Sequence, residues 1–324
     1  MKPQHDSVLM KEVLTALAIQ PSNTVVDATL GGAGHFVALL AELGEGGTII
    51  GIDADADAVE RGRLAYANDR RPERPVAHLV NDNFRNLSRI LERLGSAPVD
   101  AILFDLGWSG YQIAAPRGFS FSAGGGTASS GQDQPLLMNY SNDEETAADL
   151  VNRSSETVLA DIIFTYGEER FARSIARAIV SARATERILT TGALVSAIKD
   201  GTPKWYHEGK IHPATKTFQA LRIWVNDEIG ALREGLTAAL NSLAPGGRLA
   251  VISFHSIEDR VVKNILRDAM HADVGTIVTK KPIVPTRAEI LANRRARSAK
   301  MRVFERSAIR VEHVGSVAPS FLYA

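Results

Sequence analysis

The sequence predicts an α/β fold: a parallel sheet wound on both sides, with an all-helical block inserted. Three observations carry this. Thr24 to Asp53 reads as strand, glycine turn, helix and strand, and the alternation of strand and helix patterns continues to Gly107. From Asn142 to about Asp200 the apolar spacing is helical throughout, and strand and helix alternate again from Phe218 to Phe254.

The first unit sets the frame. Thr24-Val25-Val26-Asp27 is a short β-branched run leading into Gly31-Gly32-Ala33-Gly34-His35. A helix-like run (Phe36, Val37, Leu39, Leu40, Leu43) follows, then Thr48-Ile49-Ile50-Gly51-Ile52-Asp53, a second buried strand ending in a carboxylate. Glycines let the backbone turn sharply and approach a ligand, and an acid about 20 residues further on suits ribose hydroxyls. The turn can equally be a tight strand-to-helix junction that binds nothing. A dinucleotide fingerprint would need a third glycine where Val37 stands, so NAD is disfavoured. Asp27 suits a cofactor with a positive charge and an amino-acid end, as S-adenosylmethionine has.

Before this unit, Val8 to Leu14 has the spacing of a short amphipathic helix. After it come a helix over 54–67, a strand at Val76–Val80, a helix at Leu87–Leu94 and a strand at Val99–Asp105. Arg117 to Gln134 is loop-like and rich in glycine and serine, and Ser141-x-x-Glu144 is a capping-box start. Arg170, Arg173 and Arg177 fall on one face of a helix over Glu168–Ala184. Phe218 to Leu243 reads as one long helix, with a turn at Pro245-Gly246-Gly247 and a strand from Arg248 to Phe254.

Composition limits the function classes. The chain has 324 residues, enough for one large or two ordinary domains, and no cysteine, which excludes disulfides, thiolate metal sites and cysteine nucleophiles. No metal site is read. A formal net charge of +0 means that a nucleic acid would have to be held by local basic patches. No apolar run is long enough to span a bilayer and the N-terminus has no signal-peptide pattern, so a cytoplasmic location without membrane contact is expected.

Four strands end in polar residues, Asp27, Asp53, Asn81-Asp82 and Asp105, and ligands of open α/β sheets bind outside such ends. Singly these residues read as turn caps; together they favour a cleft. Asp105 would face the reacting end of a cofactor laid over the first two strands. His255, in Ser253-Phe254-His255-Ser256, reads first as a residue fixing a strand-helix junction and second as a general base. Lys216, Thr217 and Gln219 suit phosphate or base contacts, or helix capping. Arg294, Arg295, Arg297, Lys300 and Arg302 form a basic cluster denser than an ordinary solvated face.

Several longer strings coincide with one family. Asp27 through His35, Asp105-Leu106-Gly107, Arg117-Gly118-Phe119-Ser120-Phe121, Tyr166-Gly167-Glu168-Glu169-Arg170, His212 to Asn226 and Ser253 through Arg260 together resemble the bacterial 16S ribosomal RNA (cytosine-N4)-methyltransferases, over about nine-tenths of the chain. The resemblance implies a class I, Rossmann-like methyltransferase fold over 1–112 and 214–324, with an inserted helical substrate domain at 113–213. It implies S-adenosylmethionine as donor, with cofactor contacts at Ala33, Gly34, His35, Asp53, Phe84, Asp105 and Gln112, joined by Asp27, Gly31 and Gly32 of the same turn. Asp105 is the expected catalytic residue. Arg170, Arg173, Lys216, Arg294, Arg295 and Arg297 are the expected contacts to 16S rRNA in the small ribosomal subunit, and a homodimer is a candidate assembly. The chain departs from the family pattern at Leu137, where an acid is usual, at Asn139, where an arginine is usual, and at Trp108 to Tyr111. The alternatives are a same-fold methyltransferase acting on another RNA or a small molecule, and a non-catalytic ribosome-assembly factor.

Overall fold

The structure is a computed structural model that describes residues 7–107, 117–119, 133–139, 145–209 and 211–308. Gln112, the Ser141/Glu144 capping box, most of the glycine-serine insert and the chain beyond 308 lie outside the described residues.

The chain enters through α1 (Met10–Leu17) and then alternates: β1 (Thr24–Asp27), α2 (Gly34–Glu42), β2 (Thr48–Asp53), α3 (Ala56–Asn68), β3 (Val76–Asn81), α4 (Leu87–Leu94) and β4 (Val99–Asp105). A helical block follows, formed by α5 (Ala147–Arg153), α6 (Glu156–Gly167), α7 (Ala172–Thr185), α8 (Thr191–Asp200) and the single turn α9 (Lys204–His207). Then come α10 (Thr215–Val225), α11 (Glu228–Ser242), β5 (Leu243–Ser253), α12 (Ser256–His271), β6 (Gly275–Ile277), α13 (Arg287–Ala292) and β7 (Lys300–Arg306).

The seven strands form one sheet in the order β3-β2-β1-β4-β5-β7-β6. The pairs from β3 to β5 are parallel and β7 runs antiparallel to both neighbours. β1 lies between β2 and β4, so the winding direction reverses there, and the crevice opens beyond the carboxyl ends of these strands. Both faces are covered, which is why the central strands are nearly continuous apolar runs. Side-chain alternation along β4 sends Ile102 and Phe104 into the core beneath α4, α11 and α12, and Ala101 and Leu103 into the core beneath α1, α2 and α3.

A third core belongs to the helical block. Leu136, Met138, Leu150, Ile163, Ile175 and Leu194 are buried in it, and so are Phe218 and Leu221 of α10. The expected division at 213 therefore cuts through a core that continues into α10. At the start of α5 a capping box is made by Thr146 and Asp149: Thr146 Oγ1 accepts the Asp149 N–H, and the Asp149 carboxylate accepts the Thr146 N–H.

Three other expectations are corrected. The single helix over 218–243 is two helices, because Asp227 takes a left-handed conformation (φ 44°) that ends α10 and starts α11 on a new axis. Strand β5 begins at Leu243, with Pro245 to Gly247 forming an irregularity in its pairing with β4. Arg170 lies in the turn between α6 and α7, not on a helix face, since Glu168 ends α6 in a left-handed conformation and α7 starts at Ala172.

Candidate active site

The glycine turn is shaped by two left-handed residues, Gly31 (φ 48°) and Ala33 (φ 62°). Gly31 N–H donates to Asp53 Oδ2 at 2.8 Å, and Asp55 N–H donates to Asp53 Oδ1 at 2.8 Å. The acid at the end of β2 thus holds the turn after β1 in place. Each carboxylate oxygen keeps a further lone pair for a ligand hydroxyl. Burial pushes the Asp53 carboxyl up to about 6, against the lowering effect of its two backbone donors.

Gly31, Gly32, Gly34 and His35 border a cavity whose other walls come from Asp53, Asn83, Phe84, Asp105, Leu106 and Gly107, and from Asn226, Glu228 and Leu232 across the crevice. The first turn of α2 begins at Gly34, so its first N–H groups have no partner within the helix, and Gly34 and His35 of that turn line this space. Phe84 is fixed edge-on against Phe104, with ring centroids 5.4 Å apart at 75°, and presents a flat apolar wall. Glycines for close approach, a carboxylate for ribose and an aromatic wall for adenine fit S-adenosylmethionine.

Two of the expected cofactor contacts lie outside this wall. Asp27 is fully buried beneath the turn, with Oδ1 accepting the Thr29 N–H at 3.2 Å, because Ala28 and Thr29 fold over it and line the cavity in its place. Burial pushes its carboxyl up to about 7, opposed by the nearby His35. Ala33 is also buried, its N–H closing the turn onto the Leu30 carbonyl at 2.6 Å. Both serve the shape of the turn.

Asp105 ends β4 at the edge of the cavity. Its backbone N–H donates to Thr29 Oγ1 at 2.7 Å, its Oδ2 lies 3.3 Å from His35 Nδ1, and its Oδ1 is buried without a hydrogen-bond partner. A buried acceptor left open beside a cavity is positioned for a donor on a ligand.

A second cavity adjoins the first, and both are walled by Leu106, Gly107, Phe254, Glu258 and Arg295. It lies between the sheet and the helical block, with Phe119, Met138, Thr215, Phe218, Gln219, Arg222 and His255 completing its wall. His255 is the N-cap of α12: its Nδ1 accepts the Glu258 N–H at 3.3 Å, and the Glu258 carboxylate accepts the Phe254 N–H at 2.8 Å. The ring therefore fixes the strand-helix junction and also faces the cavity. Glu228, His255 and Glu258 bring one ligand atom each within 4.8 Å of one another, a cluster no sequence spacing suggests. Arg222 pairs with Glu228 at 2.9 Å, so part of its negative charge is already met within the protein.

The basic residues separate into two groups. Arg294, Arg295 and Arg297 are exposed on a short 3-10 turn (Arg294–Ser298), and Arg295 reaches both cavities. Lys300 and Arg302, by contrast, are committed to Asp259, at 3.1 and 2.7 Å, so the cluster expected to meet RNA loses these two members to an internal ion network. Arg173 is exposed on α7, and the Arg170 guanidinium lies 4.7 Å from the ring centroids of both Phe171 and Trp205. Lys216 Nζ donates to the Glu168 carbonyl at 2.9 Å, closing the end of α6 with one of its three donors. The Glu168 carboxylate in turn bonds Ser256 Oγ and Arg260, joining the helical block to α12.

A seven-stranded sheet of this order with β7 reversed, a glycine turn after β1 and acids at the ends of β2 and β4 define a class I S-adenosylmethionine-dependent methyltransferase. Within that class the chain belongs to the MraW methylase family, whose model matches residues 2–307. It is similar to a ribosomal RNA small subunit methyltransferase H from Deinococcus radiodurans, with 49% identity covering 94% of this chain and 90% of that one. The proteins of the same name from Deinococcus deserti and Brevibacillus brevis are 47% and 42% identical, each covering 93% of this chain and 93% and 98% of their own lengths.

Proposed function

We propose that this protein transfers the methyl group of S-adenosylmethionine to the exocyclic N4 of a cytidine in 16S rRNA. The observation that carries the reading is the placement of Asp105, with an open acceptor oxygen near where the donor cavity meets a second cavity that reaches the helical block. The names of the curated relatives support a small-subunit RNA substrate, and the family resemblance supports N4 of cytosine.

Bound S-adenosylmethionine supplies an electrophilic methyl group. Cytosine N4 is a weak nucleophile because its lone pair is delocalised into the ring. The second cavity, walled by Phe254, Phe218 and Met138, would hold an unstacked base with N4 toward Asp105, and positioning of this kind lowers the barrier by removing the entropy of encounter. Asp105 accepts a hydrogen bond from the N4 amino group, which localises the lone pair, stabilises the positive charge that develops and gives the proton released from N4 an acceptor once the methyl group has been transferred. No covalent adduct is required, in keeping with a chain that has no cysteine.

Two of the departures from the family pattern, Leu137 and Asn139, sit within this frame, while Trp108 to Tyr111 lie outside the described residues. Leu137 is tied at both ends of its peptide unit, its N–H to the Pro135 carbonyl and its carbonyl to the Ala147 N–H, while Asn139 is buried. Their neighbour Met138 lines the second cavity, so substrate fit is where these changes act. RNA would approach along Arg294, Arg295, Arg297, Arg173 and Arg170. Among the described residues no helix is long and apolar enough to cross a membrane, and we place the protein in the cytoplasm with small-subunit RNA, with a homodimer as the proposed assembly.

The test is methyl transfer from labelled donor to small ribosomal subunits isolated from a strain lacking this activity. Label recovered as N4-methylcytidine at one site in 16S rRNA is the expected result. Label in another RNA would favour the same-fold alternative, and tight RNA binding with no transfer would favour the assembly factor.

A further inference from the structure

His35 has an acceptor on each side of its ring. Nε2 lies 3.0 Å from the Val8 carbonyl oxygen and Nδ1 lies 3.3 Å from Asp105 Oδ2, and the ring is 5% exposed. A carbonyl oxygen can only accept, so Nε2 carries a proton. A neutral ring would then turn the lone pair of Nδ1 onto the lone pairs of the Asp105 carboxylate. The arrangement is stable only if one more proton is held between them. We infer that His35 is a positioning residue: a buried imidazolium that clamps Oδ2 of Asp105 and leaves Oδ1 free to accept from the amino group of a ligand. The inference rests on reading the cleft as the donor and target site.

The surroundings favour the proton on the ring. Asp105 from β4 and Asp27 from β1 are the charged groups that face His35, and two acids beside one imidazole favour its cationic form. Burial alone would lower the tendency of the ring to hold its second proton. The hydrogen bond and charge of Asp105 and the charge of Asp27 outweigh that effect, so the ring titrates above its usual range. The other partner is also held, since Leu9 N–H, next to Val8, donates to Glu289 Oε1 at 2.7 Å on α13. Asp105 is thereby fixed through Thr29 at its backbone and His35 at its carboxylate. Loss of the ring proton would free the carboxylate to rotate away from the cavity.

Two measurements test this. Nitrogen-detected spectra of protein carrying ¹⁵N-histidine, with His35 assigned by its absence in His35→Asn, should show a proton on both ring nitrogens at pH 7.5. A single ring proton on His35 at that pH would overturn the inference, whatever the RNA substrate proves to be. The second measurement is single-turnover methyl transfer at saturating donor across pH 6 to 9. Asparagine can keep an N–H against Asp105 but cannot deprotonate, whereas glutamine can keep the bond to Val8 and lose the one to Asp105. Wild type should lose rate as pH rises, His35→Asn should keep about a tenth or more of the rate without that alkaline fall, and His35→Gln should drop by about a hundredfold. Equal rates in the two variants, or an alkaline fall that persists in His35→Asn, would reduce His35 to a packing role.

Discussion

The side-chain amide of Asn226 donates to the Met138 carbonyl oxygen at 2.7 Å and, from the same nitrogen, to the Arg222 carbonyl at 2.9 Å. This bond ties the break between α10 and α11 to the segment that walls the second cavity. Asn226 also borders the donor cavity. Asn226→Ala should cost about 1–2 kcal/mol in chemical denaturation, the scale for losing buried hydrogen bonds. Asn226→Asp should cost more, because it puts an acceptor against two carbonyl oxygens. Equal losses in the two variants would mean that the Met138 and Arg222 bonds contribute little.

Asp53 links the donor site to pH. Its ionised carboxylate accepts from the Gly31 and Asp55 N–H groups, and burial raises its pKa to about 6. Protonation removes acceptor capacity, so affinity for S-adenosylhomocysteine should weaken as pH falls below about 6, and Asp53→Ala should lose at least about 1 kcal/mol at pH 7.5. Isothermal calorimetry at pH 5.5 and 7.5 decides it. An affinity that is flat with pH and unchanged in the variant would remove Asp53 from the ribose site.

Much of this site could be read from the sequence because its determinants are local. The run from Thr24 to Asp53 folds as its periods and glycines predict, and α4 and β4 match their expected residues, since each signal lies within one element. What stayed hidden depends on distant partners. Lys216, Lys300 and Arg302 look like free cations until Glu168 and Asp259, more than 40 residues away in sequence, are brought beside them. The three-residue β6 and the reversal of β7 are products of long-range pairing. The break at Asp227 did have a local cue in Asn226-Asp227, residues that favour caps and the left-handed region, but apolar spacing that continues on both sides of it masked the signal. The burial of Asp27 depends on how the turn folds back over it, which no strand-end rule specifies.

Asp27 makes stability fall with rising pH. Its carboxyl titrates near 3.8 when exposed and near 7 in the fold, so the folded state holds more protons between those values. That contribution is fully present below pH 3.8 and is lost as pH rises through about 7. His35 adds the same sign: with a folded value raised above 6.5, its contribution is complete below 6.5 and is lost as pH climbs through the raised value. Melting temperature should therefore drop between pH 5.5 and 8.5, and the drop should be smaller in Asp27→Asn, which cannot ionise. A variant with the same slope as wild type would show that Asp27 is not the source.

The division among the basic residues yields opposite phenotypes. Replacing Arg294, Arg295 and Arg297 with glutamine removes exposed charges, and should leave melting unchanged while reducing the salt slope of RNA binding by about 2, as expected for three contacts to single-stranded RNA. Arg302→Gln breaks a pair in which both side chains are mostly buried, and should lower stability with little effect on that slope. Filter binding at several salt concentrations, alongside thermal melts, separates the two. A triple variant that melts early with an unaltered salt slope would return the three arginines to a structural role.

The sharpest prediction sets Asp105 against His255. Both stand at strand ends and each keeps one buried atom without a hydrogen bond, but the Asp105 oxygen stands beside the donor cavity, its other oxygen held by His35 at 3.3 Å, whereas the remaining nitrogen of His255, Nε2, lies 3.1 Å from Glu258 Oε1. His255 spends Nδ1 on the Glu258 N–H and fixes the start of α12, which makes it a junction residue that borders the second cavity. If the Asp105 carboxylate acts on charge developing at N4, Asp105→Asn should fold normally and slow single-turnover methylation by about a hundredfold or more. Donor affinity must be measured in the same variant and saturated before rates are compared, because Asp105 also borders the donor cavity. His255→Gln should keep most of the rate and melt at a lower temperature. An active Asp105→Asn together with a stable but inactive His255→Gln would move the chemistry to the end of β5, where Glu258 and Glu228 lie within 4.8 Å of the imidazole and would supply the alternative proton acceptor.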